Sequence, residues 1–258
     1  MNMKILAIGD IVGVKTIDYL KQKLWKIRDA HCVDLVIANG ENATDIHGVS
    51  ASDAREILDA GVDVITLGNH TYGRRDICSL LSDSEAIVRP ANYPTLAPGG
   101  GYTFCNVDGW RVLVINVMGT ALMEPLACPF TTVDRILERE AGNYDFAVMD
   151  IHAEATSEKL ALGHWFDGRI HVMFGTHTHV QTADEQVLPK GSGYVTDLGM
   201  TGPKNGIIGS DATMVIEKFR TRMPTRFQVA DGEIEGQGAI FTLDTDKKRV
   251  TEVKRIRF

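Results

Sequence analysis

Short apolar runs alternate with longer stretches of helical period along most of the chain. Residues 4–8 (KILAI) read as a buried strand, and 16–30 carry their apolar positions at helical spacing. The same alternation returns with strands predicted at 33–38, 62–67 and 86–88 and helices at 52–60 and 76–82. This order is that of β-α-β units, so five or more parallel strands are expected. Residues 102–107 and 110–117 are β-rich runs separated by Asp108-Gly109, a strong hairpin dipeptide, which predicts an antiparallel section. Beyond it come strands at 146–149 and 170–174 with a helix at 157–166, and 212–256 reads as strand throughout, broken by Gly232, Gly236 and Gly238. Two halves, each with parallel and antiparallel strands, predict an α/β fold of two mixed sheets packed together with helices outside. Neither a repeat nor a linker interrupts the chain, so 1–258 is expected to form one domain.

Composition narrows the partners. With 258 residues and 44% hydrophobic content the chain can bury a full core without staples. Its 34 acidic against 27 basic residues leave a net charge of -7, which repels a long polyanion, so an extended nucleic-acid partner is not expected. A small phosphate ester is still admitted, because a metal site reverses the field locally. Cys32, Cys78, Cys105 and Cys128 stand far apart with no C-x-x-C pair, and read as free, mostly packed thiols. The first apolar run is too short for a signal peptide, and no stretch approaches the about 18 apolar residues of a membrane span. A cytoplasmic protein is expected, and a homo-oligomer is compatible with everything in the sequence.

The chemistry lies just after the buried strands, where ligands collect in open α/β sheets. KILAI is followed by Gly9-Asp10, LVIA by Asn39-Gly40-Glu41-Asn42, and VITL by Gly68-Asn69-His70. FAVMD runs into His152, and HVMF into Gly175-Thr176-His177-Thr178-His179. Polar residues scattered by surface solvation would not track strand ends five times in a row. Imidazole, carboxylate and amide without thiolate suit Fe, Mn or Zn rather than a structural cysteine site. Asp10, Glu41, Asn42, Asn69, His152, His177 and His179 are too many ligands for one catalytic ion. Two ions sharing a carboxylate, at roughly 3.5–4 Å, account for them economically. Counting the two ions, Asp10, Glu41 and a bridging hydroxide leaves about one positive charge, which leans toward a phosphodiester monoanion as substrate.

The motifs Gly9-Asp10-Ile11-Val12-Gly13, Asn39-Gly40-Glu41-Asn42-Ala43, Gly68-Asn69-His70, Arg89-Pro90-Ala91-Asn92-Tyr93-Pro94, His152 through Lys159, and Gly175 through His179 resemble the YmdB-like bacterial metallophosphoesterases. The resemblance runs in order over nearly the whole chain. It implies the four-layer α/β/β/α sandwich of calcineurin-like phosphoesterases and the activity of a 2',3'-cyclic-nucleotide 2'-phosphodiesterase. By the same resemblance one metal takes Asp10, Glu41 and His179, and the other takes Glu41, Asn42, Asn69, His152 and His177. Iron is the implied metal, with manganese as a substitute, and His70 is the implied proton donor. The wider superfamily opens with D-x-H and G-D-x-x-D; here Val12 stands in place of that His, and Glu41-Asn42 replaces the second motif. Both changes leave the first metal short of protein ligands.

The expected reaction is in-line attack by a bridging hydroxide on a small cyclic nucleotide, with His70 protonating the departing 2'-oxygen to leave a 3'-nucleotide. The bland reading of His70 is a residue that merely orients a ligand. A broad phosphomonoesterase or nucleotidase, and a slow nucleotide-sensing regulatory protein, are the alternatives. An amidohydrolase is nearly excluded, since its H-x-H lies on the first strand and this one lies at 177–179. His31, His47, His164 and His171 read as surface or packing residues, with His47 worth watching because it follows Glu41 and Asn42 closely. Thr156 and Ser157 read as helix caps that could also offer groups to phosphate. The 121–130 loop, with Met123, Leu126 and Phe130, reads as either an apolar lip for a nucleobase or core packing.

Overall fold

In the computed structural model, which describes residues 2–258, the apolar runs pair into two six-stranded sheets and one three-stranded ribbon. The first half runs β1 (Asn2–Ile8), β2 (Asp10–Ile11), α1 (Val14–His31), β3 (Leu35–Asn39), α2 (Ala51–Asp59), β4 (Val64–Thr66), α3 (Ile77–Asp83) and β5 (Ile87–Val88). The middle runs β6 (Tyr102–Val107), β7 (Trp110–Met118), α4 (Pro129–Arg139), β8 (Phe146–His152), α5 (Thr156–Phe166) and β9 (Val172–Thr176). The last third holds β10 (Gln186–Val187), β11 (Gly193–Val195), β12 (Met200–Pro203), α6 (Ala212–Thr221), β13 (Ile234–Glu235), β14 (Gln237–Asp244) and β15 (Arg249–Arg257). One sheet has the order β15-β14-β1-β3-β4-β5 and the other β10-β11-β9-β8-β7-β6, while β13-β12-β2 make the ribbon.

Period-two alternation on the inner strands builds three separate cores. In β1, Met3, Ile5 and Ala7 face the second sheet, whereas Leu6 and Ile8 face helices. In β8, Phe146 and Val148 point into the same space between the sheets, and Ala147, Met149 and Ile151 point outward. The first sheet's outer face is covered by α1, α2 and α3 through Ile17, Leu20, Leu24, Ala54, Ile57, Ile77 and Leu81. The second sheet's outer face is covered by α4 and α5 through Val133, Ile136, Leu137, Leu162 and Phe166. Three cores between four layers make the α/β/β/α sandwich.

Strands β1, β3, β4 and β5 run parallel, as do β7, β8, β9 and β11. The expected parallel set is therefore split between two sheets. The hairpin forms as predicted, with Asp108 at φ 48° and Gly109 at φ 88°, the left-handed pair that a two-residue hairpin turn needs. Ser50 caps α2 by accepting Asp53 N.

Three expectations are corrected. Residues 212–256 are not strand throughout, because 212–221 form α6. This helix is started by the Asp211 side chain accepting Met214 N and stopped by Arg222 in the left-handed conformation, cues that a run of β-branched and aromatic residues obscures. The N-cap of α5 is Ala155, with no side-chain cap, so neither Thr156 nor Ser157 fills that role. The thiols are free but not well packed, since Cys32 and Cys128 are exposed and the other two half-buried. Helix α4, which the apolar pattern does not announce, starts on Pro129 and buries Val133, Ile136 and Leu137. Among the described residues no helix is long and apolar enough to cross a membrane.

Phe174 is fully buried between the sheets, its ring 6.4 Å from that of Phe241. Replacing it with Ala is expected to remove about 3–5 kcal/mol of stability, measured as a lower denaturation midpoint with unchanged slope.

Candidate metal centre

The carboxyl ends of parallel strands from both sheets meet at one edge, and all seven ligand candidates converge there. Asp10 follows β1, Glu41 and Asn42 follow β3, and Asn69 follows β4; His152 ends β8, and His177 and His179 follow β9. One oxygen or nitrogen each from Glu41, His152 and His177 lies within 4.8 Å of the others. Asn69 Oδ1 is 2.9 Å and Glu41 Oε1 3.2 Å from His152 Nε2, with His177 Nδ1 at 3.1 Å. On the other side His179 Nε2 stands 3.6 Å from Asp10 Oδ1. Asn42 stands between the two groups, its Nδ2 3.2 Å from Glu41 Oε1 and 3.3 Å from His179 Nε2. Asp10 also ties the sheets together, because Oδ2 accepts His177 N at 3.1 Å.

The far nitrogen of each histidine is held, and this sets which nitrogen faces inward. His152 Nδ1 lies 2.9 Å from Thr176 Oγ1, whose single proton goes to Asp150 Oδ1 at 2.7 Å. The Thr176 hydroxyl therefore accepts from His152 Nδ1–H, which in the neutral ring leaves Nε2 with its lone pair. His177 Nε2 is 3.1 Å from Glu154 Oε2, and His179 Nδ1 is 3.0 Å from the Ile208 carbonyl. Both contacts make those nitrogens donors and turn His177 Nδ1 and His179 Nε2 inward as acceptors. With the rings neutral, lone pairs of three imidazoles, two carboxylates and the Asn69 carbonyl converge on one space, an arrangement that suits a cation. Among the described residues Asp10 Oδ1 and Asn42 Oδ1, both buried, have no hydrogen-bond partner. The donor set and the orphaned oxygens fit transition-metal ions.

Without metal, protons take up that charge. Burial alone would push the Asp10 carboxyl up, but His179 and His152 beside it hold it well below the usual carboxylate range. Burial would lower His179, yet Asp10 raises it to about 9. Burial likewise opposes the charging of His152, and Glu41 overcomes it. His177 is lowered by burial and by the neighbouring His152. Behind the ligands, burial pushes Asp150 up to about 6, although it accepts hydrogen bonds from Thr66, Thr176 and Asn39.

The H-x-H loop is held by a buried ion pair. Lys159 Nζ donates to Asp197 Oδ2 and to the Thr176 carbonyl, each at 2.7 Å. Asp197 in turn accepts Thr178 N, Thr178 Oγ1 and Gly199 N. His177 at φ 95° and His179 at φ 62° are thereby kept in left-handed backbone, which costs a non-glycine residue about 1–3 kcal/mol. Sequence reasoning missed the supporting roles of Thr176, Asp150, Glu154, Lys159 and Asp197. A carboxylate inside the apolar run FAVMD was the signal available for Asp150.

The profile of the family described as "YmdB-like protein" matches residues 6–256. The chain is 41% identical to the 2',3'-cyclic-nucleotide 2'-phosphodiesterase of Bacillus subtilis (strain 168), over 98% of this chain and 96% of the relative. The chain belongs to the YmdB-like family. Two crystal structures resemble it closely. A hypothetical protein from Thermus thermophilus is 40% identical with a TM-score of 0.92, covering 99% of each chain. A protein described as a novel phosphatase of Mycoplasma pneumoniae is 32% identical with a TM-score of 0.94, over 100% of this chain and 94% of the other.

His70 lies beside the ligands. Its backbone N donates to Glu41 Oε2 at 2.9 Å, Asn69 Nδ2 is 3.1 Å from its Nε2, and burial drops its pKa to about 4. His47 packs edge-on against it, ring centroids 4.2 Å apart. His31 and His164 stay away from the site, and His171 Nδ1 accepts Ala147 N in the second sheet. The 121–130 loop does not form the lip: Phe130 stacks on Phe166, and Met123 packs against the second sheet's outer core. The apolar wall comes instead from Ile208, Val215, Phe219 and Phe227, around a cavity of about 550 Å³.

Two outcomes follow from this geometry. A Cβ at Gly68 would fall on His152 Nε2 and Glu41 Oε2. Gly68→Ala should therefore fold but bind divalent metal about 10–100-fold more weakly, read by titration against a chelator. In chelator-treated protein, His179 is raised from 6.5 to about 9, so its contribution to stability is complete below 6.5 and lost as pH rises through 9. Asp10 is lowered from 3.8, so its contribution is present above 3.8 and lost as pH falls. Denaturation midpoints should be higher at about pH 6 than at about pH 9.5, and in His179→Asn that difference should shrink.

Proposed function

We propose that this protein is a metal-dependent phosphodiesterase that hydrolyses 2',3'-cyclic nucleotides to 3'-nucleotides. The observation that carries the reading is the set of three histidines turned inward by Thr176, Glu154 and the Ile208 carbonyl, beside a cavity that His70 also lines. The 41% identity to a relative of that named activity supports the substrate. One ion would be held by Asp10, Glu41 and His179, and the other by Glu41, Asn42, Asn69, His152 and His177. Iron is proposed for both positions, with manganese as a substitute, on the family resemblance, and nitrogen and oxygen donors without thiolate admit either metal. Bound there, the ions would activate water and draw charge from the phosphoryl oxygens.

The chain's own residues account for the rest. Glu154 and Thr176 keep the histidine rings in one orientation through binding and release. The 2'-oxygen is a poor leaving group until protonated, and His70 is the proposed donor. A ring with a pKa near 4 is neutral at about pH 7 in the free protein. An anionic phosphate beside the ring would favour its protonated form, the form that could pass a proton to the departing alkoxide. Ile208, Phe219 and Phe227 offer a nucleobase an apolar wall, and Lys218 and Arg222 also line the cavity. The four free thiols support a reducing, cytoplasmic setting.

His70→Ala is expected to lower turnover of 2',3'-cyclic AMP by about 10²–10⁴-fold while metal content stays near two per chain. Unchanged turnover would remove the proton-donor role, and one ion or none in the unaltered protein would remove the binuclear site.

A further inference from the structure

The site has more room than a mononucleotide uses. The cavity over the site residues, about 550 Å³, adjoins an outer hollow of about 990 Å³, and the two share Ile46, His47, Lys218 and Phe227 in their walls. Sites for one small ligand run about 300–1,000 Å³, so a nucleoside and its cyclic phosphate are accommodated by the inner cavity alone. The outer hollow begins one ring away from the proposed proton donor, because His47 lines both spaces and packs edge-on on His70.

The lining of the outer hollow has a definite chemistry. Arg74, Lys218 and Arg226 face one carboxylate, Asp45, and that carboxylate is paired with Arg74 at 2.7 Å. Lys218 Nζ lies over the Phe227 ring at 4.8 Å, and among the described residues neither Lys218 nor Arg226 has an ion-pair partner. Two uncompensated cations beside two flat rings form a local positive patch on a chain of net charge -7. Cations that follow a backbone and rings on which bases stack are the means by which proteins hold single-stranded nucleic acid.

A 2',3'-cyclic phosphate occupies both lower ribose oxygens, so a longer substrate can leave the site only through its 5'-oxygen. We infer that the preferred substrate is the 3' end of a short oligoribonucleotide bearing a terminal 2',3'-cyclic phosphate. Its terminal nucleoside fills the inner cavity, the next phosphate meets Arg226 and Lys218, and the preceding base lies against His47 and Phe227. The inference rests on the phosphodiesterase reading. The reaction is unchanged: water adds to the terminal phosphorus, the bond to the 2'-oxygen breaks, that oxygen takes a proton, and a 3'-phosphate remains with the upstream diesters intact. The overall negative charge restricts the preference to short ends, since a long polyanion is repelled.

The test compares kcat/KM for adenosine 2',3'-cyclic phosphate, its 5'-phosphorylated form, and the diadenosine dinucleotide with a terminal cyclic phosphate, in the unaltered protein and in Arg226→Ala. Arg226 lines only the outer hollow and is exposed, so the variant should keep the mononucleotide value. The expected result is a preference for the dinucleotide of about tenfold or more, falling toward parity in Arg226→Ala. Equal values for mononucleotide and dinucleotide would overturn the inference while leaving the phosphodiesterase reading intact. A 5'-phosphorylated mononucleotide matching the dinucleotide would overturn it too, because a lone phosphate would then be the recognised group. Hydrolysis of none of the three would remove the phosphodiesterase reading itself, and this inference with it.

Discussion

The buried pair of Lys159 and Asp197 is the interaction on which the rest of the site depends. Both side chains are essentially inaccessible, and beyond each other they hydrogen-bond the backbone of the H-x-H loop and its neighbour, with the Thr178 hydroxyl added on Asp197. Such a pair adds little net stability over a well-packed apolar substitute, yet removing one partner leaves a buried charge and costs about 3–5 kcal/mol. Its effect here is on conformation. His177 and His179 sit in left-handed backbone that neither residue favours, and the ion pair holds the Thr176 carbonyl and the Thr178 amide on either side of His177. Without that restraint the loop would relax toward ordinary backbone and the two rings would no longer reach opposite halves of the site.

A second layer of constraint comes from the way two sheets share one edge. Strands β1, β3 and β4 bring the oxygen-bearing candidates from one sheet, while β8 and β9 bring the imidazoles from the other. Hydrogen bonds cross the seam: Asn39 and Thr66 of the first sheet both donate to Asp150 of the second, and Asp10 accepts the His177 amide. The carboxylates are thus fixed against the histidines by the same packing that buries Phe174 and Phe241 between the sheets. This arrangement concentrates acidic and imidazole groups in one place at an electrostatic cost that a bound cation would relieve, so metal binding there would be coupled to the stability of the fold.

Much of this is legible along the chain. The strand-end motifs single out Asp10, Glu41, Asn42, Asn69, His152, His177 and His179 as candidates because parallel strands all present their carboxyl ends to one edge, and the structure brings all seven together there. The hairpin at Asp108-Gly109 and most helices are readable from period and turn chemistry within a few residues. Helix α6 escapes such a reading because its exposed apolar residues, Ile216 and Phe219, do not form a core-facing stripe, and Phe219 serves a cavity wall. The 121–130 loop misleads for a related reason: hydrophobic residues in a loop look alike whether they cover a core or a ligand. His47 stands out by its nearness to Glu41 and does line the cavity.

The layered α/β architecture, the order of the candidate ligands and the family are all written in the linear chain, since they depend on local periodicity and on contiguous motifs. Folding in three dimensions settles the rest: which nitrogen of each histidine faces inward, which buried groups hold the loop, and where the cavity continues beyond the ligands. Those features depend on partners far apart in the chain, as with Thr176 and Asp150, His179 and Ile208, Lys159 and Asp197, or His47 and Phe227. No periodicity records such pairs, because proximity across a fold is set by how the layers pack.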